Sequence, residues 1–279
     1  MLPSRPLISV IMPIHNTRPF LEQAIASVVA QTCPDWELIL VDDASTDGSA
    51  ELAQAWARRD ARLRWARNGS RLGAAATMNH GITLASGEFL CFLGSDDVYH
   101  PRKLELQLEH MLAHGCSFSQ TGHHRCSEDL GLWSLPILPA ERVVHGDLTR
   151  INRIASATVM LRAAAYPDLA YPDWPARADY VLWLRLLSAG GSVCGIRHSL
   201  YGYRQRPGAI SRSSLLRYRL QWKILREELA LSPPKAGCGF LAWLVAGVMR
   251  RGEQRLRAHA PADYDQVFRK LAPPTDSPG

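Results

Sequence analysis

The fold is decided by the stretch GEFLCFLGSDDVYHPRKLELQ, residues 87–107. Glu88 to Leu93 is a predicted buried strand, because residues 89–93 are a short apolar run. The strand leads directly into an acidic turn that contains Asp96 and Asp97. Pro101 then opens a predicted helix, because proline fits the first helical turn without loss of a hydrogen bond.

The same order of strand, polar turn and helix occurs three times before this stretch. The predicted strands are Leu7 to Met12, Trp36 to Val41 and Arg62 to Ala66. The helices that follow them begin at a cap on Asn16 or Thr17, run around Leu52 and Trp56, and cover Ala74 to Leu84. This alternation predicts an α/β fold with a mostly parallel central sheet and helices on both faces.

The rest of the chain is less regular. Short strand-like pieces between residues 116 and 162 predict an antiparallel extension of the sheet. A helix at Ala178 to Ala189 and a strand at Val193 to Arg204 follow, and helix dominates from Ser211 onward. We therefore expect one main domain over residues 1–211 and a C-terminal helical extension over residues 212–279.

The net charge of +6 lies entirely in the extension. Residues 1–211 carry 20 basic and 20 acidic side chains, whereas residues 212–279 carry 12 basic and 6 acidic ones. A neutral body argues against a nucleic-acid groove. The basic, aromatic-containing extension is able to meet anionic lipid head groups, so peripheral membrane contact is one reading, and a helical cap packed on the sheet is the other.

The sequence predicts a cytoplasmic protein, with a possible place at the inner face of the cell membrane. The N-terminus lacks the pattern of a signal peptide, and no apolar run reaches the length of about 18 residues that a spanning helix needs. Six cysteines without metal-ligand spacing predict reduced thiols. They are Cys33, Cys91, Cys116, Cys126, Cys194 and Cys238.

Acidic pairs follow two of the four predicted parallel strands. Asp42 and Asp43 end the second strand, and Asp96 and Asp97 end the fourth. Ligands of such sheets bind beyond the carboxyl ends of the strands. Carboxylates gathered there repel one another unless a cation or a hydrogen-bonding ligand lies between them. The alternative is that each pair only caps a turn or a helix.

Four segments together resemble the N-terminal half of the family 2 glycosyltransferases, in order and in spacing. They are SVIMPIHN (9–16), ELILVDDASTDGS (37–49), NGSRLGAAATMNHGI (68–82) and GEFLCFLGSDDVYHPRKLELQ (87–107). Two weaker similarities follow, in ADYVLWLRLLSAGG (178–191) and YGYRQRPGAIS (201–211).

The resemblance implies a GT-A fold, inversion at the anomeric carbon, and a nucleotide-diphosphate sugar, above all a UDP-sugar, with Mg²⁺ or Mn²⁺. It implies that residues 1–112 bind the nucleotide and residues 113–211 the acceptor. By position, Asp97 would bind the metal and Asp179 would be the catalytic base. The residues that would contact the nucleotide-sugar are Pro13, Ile14, His15, Asp43 and Asp96.

The chemistry needs such a base, because an acceptor hydroxyl is a poor nucleophile until a carboxylate takes its proton. Asp179 is also well placed merely to open the helix that follows it. Three departures from the family pattern are His15 in place of a tyrosine, Met78 in place of an arginine, and Gly94 in place of an acid. Ala178 further leaves Asp179 as a single carboxylate.

The sequence therefore predicts an inverting glycosyltransferase that adds a sugar to a saccharide or lipid-linked acceptor in surface polysaccharide biosynthesis. Gly94 and Met78 motivate a different hypothesis, a nucleotide-sugar-binding or membrane-scaffolding protein without turnover.

Overall fold

The computed structural model describes residues 7–206, 214–253 and 257–258. Its strands are β1 Ile8–Ile14, β2 Trp36–Asp42, β3 Leu63–Arg67, β4 Phe89–Phe92, β5 Val98–Tyr99, β6 Phe118–Cys126, β7 Leu132–Trp133, β8 Arg142–Val143, β9 Val159–Arg162, β10 Val193–Arg204 and β11 Arg257–Ala258. Its helices are α1 Arg18–Val29, α2 Ser49–Arg59, α3 Ala74–Leu84, α4 Lys103–His114, α5 His145–Leu148, α6 Ala178–Ser188, α7 Ser214–Lys223 and α8 Pro233–Glu253.

The N-terminal half of the sheet is parallel, as the sequence predicts. Its strands lie in the order β4-β1-β2-β3. β1 is central, since Ile8 is in register with Trp36 of β2 on one side and with Phe89 of β4 on the other. The turns after β2 and β4 therefore flank the turn after β1 at one edge of the sheet.

The second half of the sheet is mixed. β9 pairs antiparallel with both β4 and β6, which confirms the predicted extension. β10 runs parallel to β6 and antiparallel to the short β5. Tyr201 is in register with Tyr99, so the end of β10 lies beside the chain that leaves the acidic turn at Asp96 and Asp97.

Alternating strand residues build an apolar core on each face of the sheet. On one face Val10 and Met12 pack with residues of α1, α2 and α4. On the other face Ile11 and its neighbours pack with residues of α3, α6 and α7. Helices thus cover both faces, as predicted.

The C-terminal extension forms a helical hairpin on this second face. α7 continues through a π-helical turn at Ile224–Glu228, and Leu220 and Ile224 are buried in the core beside α6. α8 begins at Pro233, where proline is tolerated. The predicted boundary at residue 211 lies outside the described residues. Arg257–Ala258 pairs with β7, so the extension is not helical throughout. None of the helices in the described segments is long and apolar enough to cross a membrane.

The prediction of six reduced thiols is wrong for two cysteines. Cys116 and Cys194 form a disulfide with a Cα–Cα distance of 6.4 Å. Cys116 lies just before β6, and Cys194 lies in β10, which pairs with β6. This pairing joins residues that are 78 positions apart, and no local pattern in the sequence indicates it. Cys33, Cys91, Cys126 and Cys238 are free.

Candidate active site

The turns after β1, β2 and β4 are joined to one another by hydrogen bonds. The Asn16 backbone amide donates to Ser45 Oγ at 3.1 Å, which joins the first two turns. The Thr17 hydroxyl donates to Ser95 Oγ at 2.9 Å, which joins the first turn to the third. The structure thereby brings the predicted residues 13–15, 43 and 96–97 to one edge of the sheet.

The Asp43 carboxylate is almost fully buried and receives three donors from the next loop. Asn68 Nδ2 and the Leu72 amide each donate to Oδ1 at 2.8 Å, and the Gly73 amide donates to Oδ2 at 2.8 Å. Burial raises the pKa of Asp43, but these donors outweigh it and the net pKa is lowered. Asp43 is thus an anion that holds the loop before α3, and Oδ2 keeps one acceptor position.

The three predicted residues of the first turn differ in how they reach the edge of the sheet. Pro13 is half-buried, whereas the Ile14 side chain is fully buried in the core. Ile14 faces the edge through its carbonyl, which accepts from the Asp43 amide at 2.8 Å. His15 Nδ1 lies 2.8 Å from the Asp43 carbonyl oxygen, so the ring is fixed against the second turn. The neighbouring acid of that turn, Asp42, is fully buried and pairs with Arg67 at 3.2 Å.

The Asp97 carboxylate is oriented by the last strand of the main domain. The Tyr201 hydroxyl donates to Oδ2 at 2.5 Å, and the Arg204 amide donates to Oδ1 at 2.8 Å. Burial, together with repulsion from the neighbouring Asp96, holds the pKa of Asp97 well above its usual range. A bound cation would favour the charged form of this carboxylate.

Asp96 is paired with an arginine. Arg206 Nε donates to Asp96 Oδ2 at 2.6 Å, and the two side chains are partly exposed. Arg204 Nε donates to the Asp96 carbonyl at 2.6 Å. The Arg204 guanidinium also bonds Gln23 and the Glu128 carbonyl, and it lies 5.0 Å from the Phe20 ring. The acidic turn is thus held to β10 and to α1 through one buried arginine.

Gly94 leaves open the space between the two carboxylates. A Cβ on Gly94 would lie 2.9 Å from Asp97 Oδ2 and 3.0 Å from Asp96 Oδ1. In the described parts of the chain no group of three or more His, Cys, Asp or Glu side chains could hold a metal. Mg²⁺ and Mn²⁺ need fewer, since Mg²⁺ binds through one or two carboxylates together with phosphates and water. Two carboxylate oxygens that converge over a glycine fit such an ion.

Asp179 lies in the first turn of α6 and is half-buried. Burial raises the pKa of Asp179, against a hydrogen bond from Ser156 and the positive charge of Arg177. Arg177 is the N-cap residue of α6, with φ of 61°. Asp179 lies among Ser156, Tyr171 and Arg177, whereas the partners of the acidic pair come from β10 and the residues after it.

Sequence reasoning missed Tyr201, Arg204 and Arg206 as partners of the acidic turn. They lie in YGYRQRPGAIS, a segment whose resemblance to the family is weak and assigns no role to these side chains. The charges in the sequence could have indicated these partners. An acidic pair at the end of a buried strand needs hydrogen-bond donors, and this segment supplies two arginines and two tyrosines.

These observations define an α/β protein with a polar, acidic site at the carboxyl edge of a parallel sheet. A sequence profile described as Glycosyl transferase family 2 matches residues 9–166. The chain belongs to this family and is a glycosyltransferase.

Two curated relatives illustrate the family. The chain is 32% identical over 247 residues to the Putative teichuronic acid biosynthesis glycosyltransferase TuaG of Bacillus subtilis (strain 168), which covers 88% of this chain and 98% of that protein. It is 30% identical over 224 residues to the UDP-Glc:alpha-D-GlcNAc-diphosphoundecaprenol beta-1,3-glucosyltransferase WfgD of Escherichia coli, which covers 79% and 86%.

Two solved structures share the fold. S. aureus TarS 1-349, crystallised with UDP-GlcNAc, superposes with a TM-score of 0.65 at 19% identity and covers 85% of this chain and 71% of that one. The mannosyltransferase PcManGT from Pyrobaculum calidifontis, in complex with GDP-Man and Mn²⁺, superposes with a TM-score of 0.59 at 17% identity and covers 96% and 80%. The predicted GT-A fold is confirmed.

Proposed function

We propose that this chain transfers a sugar, with inversion, from a UDP-sugar to a saccharide or lipid-linked acceptor in the synthesis of a surface polysaccharide. The observation that carries the proposal is the convergence of Asp96 Oδ1 and Asp97 Oδ2 over Gly94 at the carboxyl edge of the sheet. Residues 1–112 bind the donor in this proposal, and residues 113–211 bind the acceptor.

The nucleotide base meets the first two turns. Asp43 Oδ2 has one acceptor position left after the Gly73 amide, which suits an imide N–H such as that of uracil. Pro13 and His15 border the same carboxylate, and Ile14 contributes its backbone. Because the pKa of Asp43 is lowered, the acceptor stays ionised at neutral pH.

Asp97, with Asp96 beside it, would hold Mn²⁺ or Mg²⁺ against the donor diphosphate. The ion, when bound, supplies positive charge that stabilises the departing phosphate oxygens. The protein determines where the ion would lie, because the Tyr201 hydroxyl and the Arg204 amide fix the Asp97 carboxylate. Arg206 adds a guanidinium within reach of Asp96 at the same turn.

Asp179 takes the proton of the acceptor hydroxyl as that hydroxyl attacks the anomeric carbon. Burial raises the pKa of Asp179, and a carboxylate with a raised pKa is a stronger base. A single displacement with one base inverts the configuration. The relative WfgD is named as a transferase that acts on a diphosphoundecaprenol-linked sugar, which supports a lipid-linked acceptor for this chain as well.

The test is a panel of UDP-, GDP- and dTDP-sugars with Mn²⁺ and saccharide acceptors, with product detected by mass spectrometry and its anomeric configuration by NMR. We expect turnover of a UDP-sugar, and a loss of about 10²-fold to 10⁴-fold in kcat for Asp179→Asn. Asp173→Asn is the matched control, because Asp173 is an exposed acid six residues earlier. Donor-induced thermal stabilisation without turnover, unaffected by Asp179→Asn, would instead identify a binding protein.

A further inference from the structure

Helix α8 is uncharged over most of its length. It spans Pro233–Glu253, and the 14 residues from 236 to 249 contain no acidic or basic side chain. A helix on the surface of a protein normally carries polar residues on its outer face. The outer face of α8 therefore lacks the charged side chains that a surface helix normally exposes to water.

The two faces of α8 are distinguished by helical spacing. Ala236, Phe240 and Trp243 recur at four and three residues and face α7: Ala236 is fully buried, and the Phe240 and Trp243 rings lie about 6 Å from the Tyr218 ring. Leu241 and Val245 form the opposite stripe and are 63% and 59% exposed. Together with exposed Cys238 and Ala242 they present an apolar stripe to solvent.

Basic residues precede and follow this stripe along the chain. Lys235 precedes it and Arg250 and Arg251 follow it. α7 and its π-helical turn carry Arg219, Lys223 and Arg226 beside Glu227 and Glu228, and Lys223 pairs with Glu227 at 3.6 Å. Residues 212–279 have twice as many basic as acidic side chains. Residues 214–253 alone carry seven basic and three acidic side chains. An apolar stripe on a helical hairpin of positive net charge is complementary to an anionic lipid surface. A second copy of the same surface would repel it, because both copies carry the same excess charge.

The stripe is connected to the proposed base through Arg177. The Arg177 guanidinium lies 5.7 Å from the Trp243 ring of α8, and its Nη1 donates to Gln221 of α7 at 2.6 Å. Arg177 is also the N-cap of α6, two residues before Asp179. The helical hairpin therefore packs against the very end of α6 that carries Asp179.

We propose that the stripe of Leu241 and Val245 on α8 lies in the surface of an anionic phospholipid bilayer and thereby holds the Asp179 end of the site at that surface. The second half of this statement rests on the proposed function, since it places the base where a lipid-linked acceptor would arrive. A helix of this kind lies in the plane of the interface with its apolar face among the head groups and upper acyl chains.

The test is flotation of the full chain with two kinds of vesicle, phosphatidylcholine alone and phosphatidylcholine mixed with phosphatidylglycerol. We expect binding to the mixed vesicles that weakens as salt is raised, because counterions screen the basic residues. The double variant Leu241→Gln/Val245→Gln should lower the partition coefficient about tenfold or more, because two apolar side chains no longer leave water. Lys235→Glu should weaken binding to the mixed vesicles and leave binding to phosphatidylcholine vesicles unchanged, because only the mixed vesicles are anionic.

The matched control is Leu112→Gln/Leu135→Gln. These leucines are 55% and 51% exposed on other parts of the surface, so the control removes similar apolar area without touching α8. We expect it to float as the wild type does. Thermal unfolding should show all variants folded, since none of the changed side chains is buried.

Three results would overturn the proposal: equal binding to both vesicles, unaltered flotation of the α8 double variant, or a dimer in solution that this variant dissociates. Turnover with a water-soluble acceptor is measured on the same proteins and should be unchanged by the double variant. Absent turnover with normal flotation would refute the proposed function and leave the lipid surface intact. Normal turnover without flotation would refute the proposed lipid contact of α8 and leave the proposed function intact.

Discussion

The Tyr201 hydroxyl donates a hydrogen bond of 2.5 Å to Asp97 Oδ2, across 104 residues of sequence. The Arg204 amide occupies the other oxygen, so both oxygens of this carboxylate are fixed by β10. Partners of this kind orient a metal-binding carboxylate and tune its affinity. Tyr201 is therefore a positioning residue for the proposed metal site, although it is too deeply buried to touch a donor.

Tyr201→Phe should weaken Mn²⁺ binding about tenfold or more, since loss of an outer-shell hydrogen bond has effects of this size. Isothermal titration of Mn²⁺ in the presence of UDP measures this without turnover. Tyr203→Phe removes a hydroxyl two residues along the same strand and should leave Mn²⁺ affinity unchanged. Equal affinities for wild type and Tyr201→Phe would refute the positioning role.

Asp97→Asn should stabilise the protein in the absence of metal. The pKa of Asp97 is raised in the folded chain, so the folded state holds this proton more tightly than the unfolded state. The charged carboxylate therefore costs stability, and the cost grows as pH rises from the ordinary pKa of 3.8 to the raised pKa. An asparagine of the same shape has no such cost.

Urea unfolding at several pH values measures this difference. We expect the free energy of unfolding of Asp97→Asn to exceed that of wild type near neutral pH, and the gap to close in acid. Adding Mn²⁺ with UDP should stabilise wild type and not the variant. A gap that widens in acid would contradict the raised pKa.

Gly94→Ala should weaken metal binding by crowding the two carboxylates. The new methyl group would stand about 3 Å from Asp96 Oδ1 and Asp97 Oδ2, closer than ordinary van der Waals contact. Gly69→Ala is the control, because nothing lies within 4 Å of a Cβ at that glycine. Thermal shift with Mn²⁺ and UDP should fall for Gly94→Ala and stay normal for Gly69→Ala.

The parallel half of the fold was predictable because its signals are local. The helix at Ala74–Leu84 has the predicted bounds, since an alanine-rich run is bordered by Gly73 and by the next strand. Val193–Arg204 also has the predicted bounds. The two acidic turns were placed correctly because parallel strands end at one edge whatever their order.

What the sequence could not show depends on contacts between distant segments. Arg204 reaches Gln23 across 181 residues, and no pattern in either segment indicates the pair. The sequence likewise predicts only part of the role of Asp43. It places this acid against a nucleotide, whereas in the structure the carboxylate accepts hydrogen bonds from Asn68, Leu72 and Gly73. Its role toward a nucleotide base stays a prediction.

The Cys116–Cys194 disulfide should stabilise the main domain substantially. It closes a loop of 78 residues, and in the chain-entropy account such a closure contributes about 4 kcal/mol. Dithiothreitol should therefore shift the urea midpoint of wild type downward. The double variant Cys116→Ala/Cys194→Ala should unfold at a lower urea concentration than oxidised wild type, with a midpoint that does not respond to the reductant.

Thiol counting provides the independent check on this bond. In urea without reductant, wild type should react with four equivalents of a thiol reagent, from Cys33, Cys91, Cys126 and Cys238. In the folded state Cys238 should react first, because it is exposed while Cys91 and Cys126 are buried. Six reactive thiols in the unreduced protein would show that β6 and β10 are held together by sheet pairing alone, and the midpoint would then be the same with and without dithiothreitol.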